Sequence, residues 1–128
     1  MNYQIELIRT GGVISKDAPY QPFVYKLLLG GNFVMEISED FTHLLTTFIK
    51  GGVRKLILDL AELKYIDSTG IGILINLTKL MRAQGGDMVM YNVTPKITEV
   101  FSLVKLHDFI QIFKSEKQAF EYLSTLTK

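Results

Sequence analysis

The sequence predicts an α/β domain: one mixed β-sheet with about four packed α-helices, formed by a single domain spanning 1–128. Three observations predict it. Strand-like and helix-like apolar patterns alternate through the second half of the chain, which implies crossover connections and a largely parallel region. Leu56-Ile57-Leu58 is a nearly continuous apolar run, as in a strand buried on both faces. The opening residues alternate, with Tyr3, Ile5 and Leu7 on one face and Gln4 and Glu6 on the other, as in a half-buried strand.

Taken in order, Tyr3 to Thr10 is expected as the first strand, turned by Gly11-Gly12, with Val13-Ile14 as a short return. Ser15 to Gln21, with Asp17 and Pro19, reads as a loop. Phe23 to Gly30 is a second long strand, and Gly30-Gly31-Asn32 is expected to break it. Ser38 has the form of an N-cap, with Glu39 and Asp40 in the first turn, where the helix dipole favours acids. Ile37, Phe41, Leu44, Leu45 and Phe48 follow at helical spacing, and Gly51-Gly52 closes that helix. Lys55 to Leu60 is a strand, and Tyr65-Ile66 leads into a turn at Asp67-Ser68. Thr69 to Gln84 is the second helix, ended by Gly85-Gly86, and Met88 to Asn92 is a strand. Thr94-Pro95 is a cap followed by proline at the first helical position, ahead of the stripe Ile97, Val100, Phe101, Val104. Phe109 to Phe113 is a short strand. Ser115-Glu116-Lys117-Gln118 has the form of a capping box before Ala119, Phe120, Leu123 and Leu126.

Composition narrows the function. Hydrophobic residues make up 48% of 128 residues, enough for a packed core and too many for a disordered chain. The 14 basic and 13 acidic residues leave a net charge of +1 without a basic tract, which argues against nucleic acid as a partner. There is no cysteine, so no disulfide, thiolate metal site or cysteine nucleophile is available. That fits a cytoplasmic protein. Met1 to Glu6 shows no basic head followed by an apolar run, so no signal peptide is expected. No apolar stretch approaches the roughly 20 residues of a membrane span, and no membrane insertion is expected.

The residues that could carry chemistry centre on Asp67-Ser68-Thr69-Gly70-Ile71-Gly72. A serine at a strand–turn–helix joint lies where the first N–H groups of a helix are open and negative charge is favoured. Ser68 reads either as a plain helix cap or as a position where a phosphate switches the surface. On the residues alone the cap is the simpler of the two, and Asp67 would repel a phosphate. A serine hydrolase needs a base beside its serine. Only His43 and His107 exist, neither is placed beside Ser68 by spacing, and the Gly-x-Ser-x-Gly elbow is absent. Two isolated histidines give no zinc site. The pairs Gly11-Gly12, Gly30-Gly31, Gly51-Gly52 and Gly85-Gly86 sit at element ends, and none forms a phosphate-cradling loop. No cofactor, metal or catalytic residue is expected.

On the second helix Ile73, Leu74, Leu77, Leu80 and Met81 fall in one arc, expected to face the sheet, with Gly72, Asn76 and Lys79 opposite. Ile71 and Ile75 fall between, in line with Thr78 and Arg82. This second stripe reads either as a wide core face or as a partly exposed partner surface next to Ser68. Gly70 and Gly72 would let a partner approach the helix start closely.

At these residues the chain resembles the STAS family, and within it the bacterial anti-sigma-factor antagonists. The resemblance lies in Leu56-Ile57-Leu58-Asp59-Leu60 and Tyr65-Ile66-Asp67-Ser68-Thr69-Gly70-Ile71-Gly72. It continues through Gly85-Gly86-Asp87-Met88-Val89-Met90 and Asn92-Val93-Thr94-Pro95 to Ser115-Glu116-Lys117-Gln118-Ala119. It runs in register over roughly Val53 to Leu123, with a family-like core expected over about 22–123 and an N-terminal strand or hairpin extension over 1–21. The resemblance implies a STAS-like α/β domain without catalysis of its own. It implies binding to an anti-sigma factor that is also a serine kinase of the ATPase-kinase type, release when Ser68 is phosphorylated, and reversal by a metal-dependent serine phosphatase. Ser68 would be the phosphorylation site, Thr69 the alternative, and Asp59 and Asp67 its support. Gly70, Ile71, Gly72, Ile75, Thr78 and Arg82 would form the partner-binding surface. One departure is visible: the family's Gly-Glu-Leu-Asp-like segment after the second strand is replaced by Gly30-Gly31-Asn32-Phe33, which lacks the acidic residue. The alternative function is a STAS interaction or scaffold module of a transporter or stress-signalling complex that is never phosphorylated.

Overall fold

The computed structural model describes residues 2–9 and 23–126. The expected turn at Gly11-Gly12, the return at Val13-Ile14 and the loop from Ser15 to Gln21 lie outside them. Within them the elements are β1 (Asn2–Arg9), β2 (Phe23–Phe33), α1 (Met35–Lys50), β3 (Lys55–Asp59), β4 (Leu63–Ile66), α2 (Ser68–Ala83), β5 (Asp87–Tyr91), α3 (Pro95–Leu103), β6 (Ile112–Phe113) and α4 (Glu116–Ser124). A single 3-10 turn, Leu106–Asp108, follows α3.

The six strands form one mixed sheet in the order β1-β2-β3-β5-β6, with β4 also paired to β2. β1 runs antiparallel to β2, and the other pairs are parallel. Strand alternation divides the interior into two layers. Leu27 and Leu29 of β2, Leu56 and Leu58 of β3, and Met88 and Met90 of β5 face the layer shared with α1, α2 and α3. Val24, Ile57 and Val89 face the other layer, where Ala119 and Leu123 of α4 close over them. That two-sided cover explains why the central strands read as continuous apolar runs.

Three differences from the sequence reading bear on the site. First, β2 does not break at Gly30-Gly31-Asn32. It continues to Phe33: its pairing with β3 ends at Leu28, its pairing with β4 begins at Gly31, and the β2–β4 register shifts between Gly31 and Asn32. Gly31 has φ of 76°, a left-handed conformation suited to glycine, and the step from Gly31 to Asn32 spans two residues of β4, Lys64 being the extra one, so the glycine pair marks a ladder irregularity rather than an end. Second, the lead through Tyr65 is itself a strand, β4. Its pattern, buried Leu63 and Ile66 around exposed Lys64 and Tyr65, shows neither alternation nor a continuous apolar run. Third, α1 begins at Met35, three residues before the cap expected at Ser38, and its own N-cap residue, Val34, offers no side-chain hydrogen bond. The expected caps of α3 and α4 form: Thr94 accepts from the Ile97 amide and Ser115 from the Gln118 amide. The Gln118 side chain returns a bond to the Lys114 amide at 3.3 Å, so this capping box closes one residue further back than its pattern implies.

Candidate functional site

The site is built where β4 ends. Pairing with β2 sets Ile66 opposite Phe33, and the Asp67 amide donates to the Phe33 carbonyl at 3.3 Å. Asp67 is extended (φ −99°, ψ 178°) and its carbonyl accepts the first bond of α2, from the Ile71 amide at 3.0 Å. Asp67 is therefore the N-cap, and Ser68 is the first residue of the helix. The cap alternative for Ser68 falls away. Its side chain is exposed and makes no hydrogen bond among the described residues. Thr69, next along, is exposed as well.

The Asp67 carboxylate serves two helices. Oδ1 accepts from the Gly70 amide at 2.8 Å, the third residue of α2, and Oδ2 accepts from the Met35 amide at 3.0 Å, the first residue of α1. Each helix N-terminus carries about half a positive charge, so the two ends converge on one anion. Gly70 makes the convergence possible. A Cβ there would lie 2.7 Å from the Phe33 carbonyl oxygen and 2.9 Å from Ile66 Cγ1, so only glycine lets α2 sit this close to the end of β2.

Around Ser68 the structure sorts the expected partner residues into two groups. Gly72 and Ile75 are half-buried and available at the surface. Gly70, Ile71 and Thr78 are not: all three are buried, with Leu74, Leu77 and Met81, on the face packed against the core. The arc facing the core is thus rotated from the one expected, and Leu80, placed in that arc by hydrophobicity, is exposed. The reason is local. The Thr78 hydroxyl donates to the Leu74 carbonyl at 2.8 Å, which satisfies it within the helix and lets it pack as an apolar surface. Arg82 is also committed elsewhere. Its Nε donates to Asp87 Oδ1 at 2.9 Å and its Nη1 to the Phe109 carbonyl at 2.7 Å. Asp87 is buried, and its Oδ2 accepts from the Tyr122 hydroxyl at 2.6 Å, which with burial pushes the Tyr122 pKa up to about 12.

Asp59, expected to support the phosphosite, belongs to a different corner. It pairs with Leu28 of β2, whereas Ile66 pairs with Phe33, which puts the start of α2 about 15 Å further along the strand direction. Its carboxylate accepts from the Ala61 amide at 3.0 Å, the Tyr91 hydroxyl at 3.1 Å and the Asn92 side chain at 3.3 Å. Lys26 stands 3.9 Å from it and 2.6 Å from Glu116. Burial disfavours the Lys26 cation, but the bonds to Glu116 and Tyr91 outweigh burial and leave its pKa raised. Asp59 shapes the corner between β3 and β4 and so reaches the site only through the chain.

Two residues of the rim went unnoticed in the sequence. Met35 is 62% exposed and Tyr65 is 53% exposed, and they flank Asp67 from α1 and β4. Tyr65 stood two residues before Asp67, but without β4 its exposure had no basis. The pattern from Ser38 onward leaves Met35 outside the helix, because the group that caps α1 comes from Asp67. Beside Met35 lies an open groove of about 630 Å³ between α1 and α2, lined by Glu39, Asp40, His43, Thr46 and Ile73. His43 is exposed and eight residues beyond Met35, about 12 Å along α1, so it does not stand beside Ser68. His107 is exposed in the 3-10 turn, with Asp108 at 3.5 Å. Among the described residues no three His, Asp or Glu side chains are grouped as a metal ion would need, and no helix is long and apolar enough to cross a membrane.

Comparison with known proteins gives the family and the fold. The family model described as "STAS domain" matches residues 16–119. A provisionally named anti-sigma factor antagonist of Thermotoga maritima is 28% identical over 74 residues, covering 58% of this chain and 66% of that protein. The anti-sigma-B factor antagonist of Staphylococcus aureus is 23% identical over 88 residues, 69% of this chain and 82% of its own. Among solved structures, the anti-sigma factor antagonist SpoIIAA in its unphosphorylated form superposes with a TM-score of 0.71 at 19% identity, covering 99% of this chain and 100% of that one, a likeness of fold. With its family model matched over most of its length, the chain belongs to the STAS domain family.

Proposed function

We propose that this protein is an anti-sigma-factor antagonist that changes partners by phosphorylation of Ser68. Unphosphorylated, it binds an anti-sigma factor that is also a serine kinase of the ATPase type; phosphorylated, it lets go, and a metal-dependent serine phosphatase resets it. The observation that carries the reading is Ser68 itself: exposed, first in its helix, and relieved of capping by Asp67. A phosphate there meets a helix N-terminus, so the free domain tolerates it. In a complex the same group, with about −1.5 to −2 charges, must be desolvated against a close partner.

The partner surface in this reading is Ser68, Thr69, Gly72 and Ile75 with Met35 and Tyr65, in place of the buried Gly70, Ile71 and Thr78 and the committed Arg82. The domain acts by binding, in the cytoplasm, and does no chemistry of its own: a serine without an adjacent base has negligible nucleophilicity at neutral pH. Incubation with the kinase and ATP, followed by peptide mass spectrometry, tests the site. Phosphate on Ser68 is expected. Phosphate on Thr69 moves the switch by one residue, and phosphate on neither overturns it in favour of an interaction module that is never phosphorylated.

A further inference from the structure

Resting on the reading of Ser68 as a phosphoacceptor, we infer that Asp67 carries the charge state of Ser68 to the first turn of α1, so that phosphorylation loosens α1 at Met35. The bonds that carry it are those of one carboxylate. Oδ1 holds Gly70 of α2 at 2.8 Å and Oδ2 holds Met35 of α1 at 3.0 Å. Val34, the residue at the N-cap of α1, gives no side-chain bond, so the carboxylate that caps this helix at Met35 comes from 32 residues away.

A phosphate on Ser68 is a second anion on the residue next to Asp67. It competes for the same N–H groups at the start of α2, and its negative charge repels the neighbouring Asp67 carboxylate. Both effects weaken Asp67 as an acceptor. Gly70 keeps an alternative acceptor in the phosphate, since both belong to α2. Met35, on another helix, is the bond that suffers. The consequence falls on the surface a partner meets, because Met35 is the most exposed large apolar side chain beside Ser68 and lines the groove with Glu39, Asp40 and Ile73. Release then has two components, the charge on α2 and a displaced edge of α1.

The test needs no partner. Phosphoserine is placed at position 68 during translation, and amide hydrogen exchange is compared residue by residue with the unmodified protein. Exchange at Met35 is expected to rise about tenfold, equivalent to about 1.4 kcal/mol, while Leu123 on the opposite face of the sheet is unchanged. In Asp67→Asn, which has no carboxylate between the helices, the same phosphoserine should change Met35 exchange less than twofold. An unchanged or slower Met35 in the wild type overturns the coupling, and an equal response in Asp67→Asn overturns the route. Should Asp67→Asn not fold, the Asp67 carboxyl carbon shift in the wild type decides the route: it must move with the Met35 amide. Because the phosphate is installed directly, failure here is distinct from a kinase that does not modify Ser68.

Discussion

Asp67 and Met35, 32 residues apart, are joined by a 3.0 Å bond from the Met35 amide to Asp67 Oδ2, while the other oxygen of the same carboxylate caps α2 through Gly70. The residue beside the candidate phosphoacceptor thus organises the starts of two helices, and Ser68 is left free for a role outside the fold. This division of labour makes the stability and the function of the two adjacent residues separable.

Asp67→Ala removes the capping acceptor from both helices. Each lost cap costs about 1 kcal/mol, so a loss of about 2 kcal/mol is expected, a fall in Tm of about 8 °C. Ser68→Ala removes nothing the fold uses and should stay within about 0.5 kcal/mol. Thermal melts of the two variants check this. Equal melting temperatures would mean that the Asp67 bonds do not hold the helix ends.

Gly70→Ala places a methyl group against the Phe33 carbonyl, at 2.7 Å before any relaxation. Backbone must move to accept it, and overpacking of this kind costs about 1–3 kcal/mol. Gly72→Ala is the control, since a Cβ at Gly72 meets nothing within 4 Å. Denaturant titration should therefore rank Gly70→Ala well below Gly72→Ala, which helix propensity makes neutral or slightly stabilising.

Ile71→Ala and Ile75→Ala should separate packing from binding. Ile71 is buried, so its truncation costs about 2–5 kcal/mol of stability. Ile75 is half-buried at the edge of the proposed surface. Its truncation should cost the fold less and weaken partner binding by about 2 kcal/mol, roughly thirtyfold. Paired unfolding and binding titrations measure both. Unchanged binding by Ile75→Ala would remove this residue from the surface.

Tyr122 links stability to alkaline pH. Burial and its bond to Asp87 raise its pKa to about 12, above the value of about 10 in an unfolded chain. The protonated phenol is the form the fold prefers. Its contribution is complete below about pH 10 and is lost as pH rises through 12. Denaturant midpoints should fall from pH 10 upward. The fall should be shallower in Tyr122→Phe, with Lys26, whose pKa is also raised, supplying part of what remains.

Much of this was legible in local sequence, because local rules produce it. Thr94-Pro95 and Ser115 to Gln118 are caps whose donors lie three residues away, and the apolar runs of β3 and β5 report burial on both faces. The site was only half legible for the opposite reason. The start of α1 is held by a carboxylate from after β4, so no signal near Met35 marks it. The inward face of α2 depends on a threonine that bonds its own helix and a glycine pressed on Phe33, and a hydrophobicity wheel weighs neither. Arg82 is expected at the partner surface from sequence alone because its acceptors, Asp87 and the Phe109 carbonyl, come from β5 and from the link before β6.

The most direct measurement is the affinity of the kinase for this protein with serine and with phosphoserine at position 68, by calorimetry at fixed ionic strength. Desolvating the phosphate at a close interface costs about 3 kcal/mol or more, so the phosphorylated form should bind over a hundredfold more weakly. Its Tm should remain within a few degrees of the unmodified protein. Ser68→Ala should bind like the unmodified protein, even with ATP present. Equal affinity of the two forms, in a folded protein, would contradict a phosphorylation switch at Ser68.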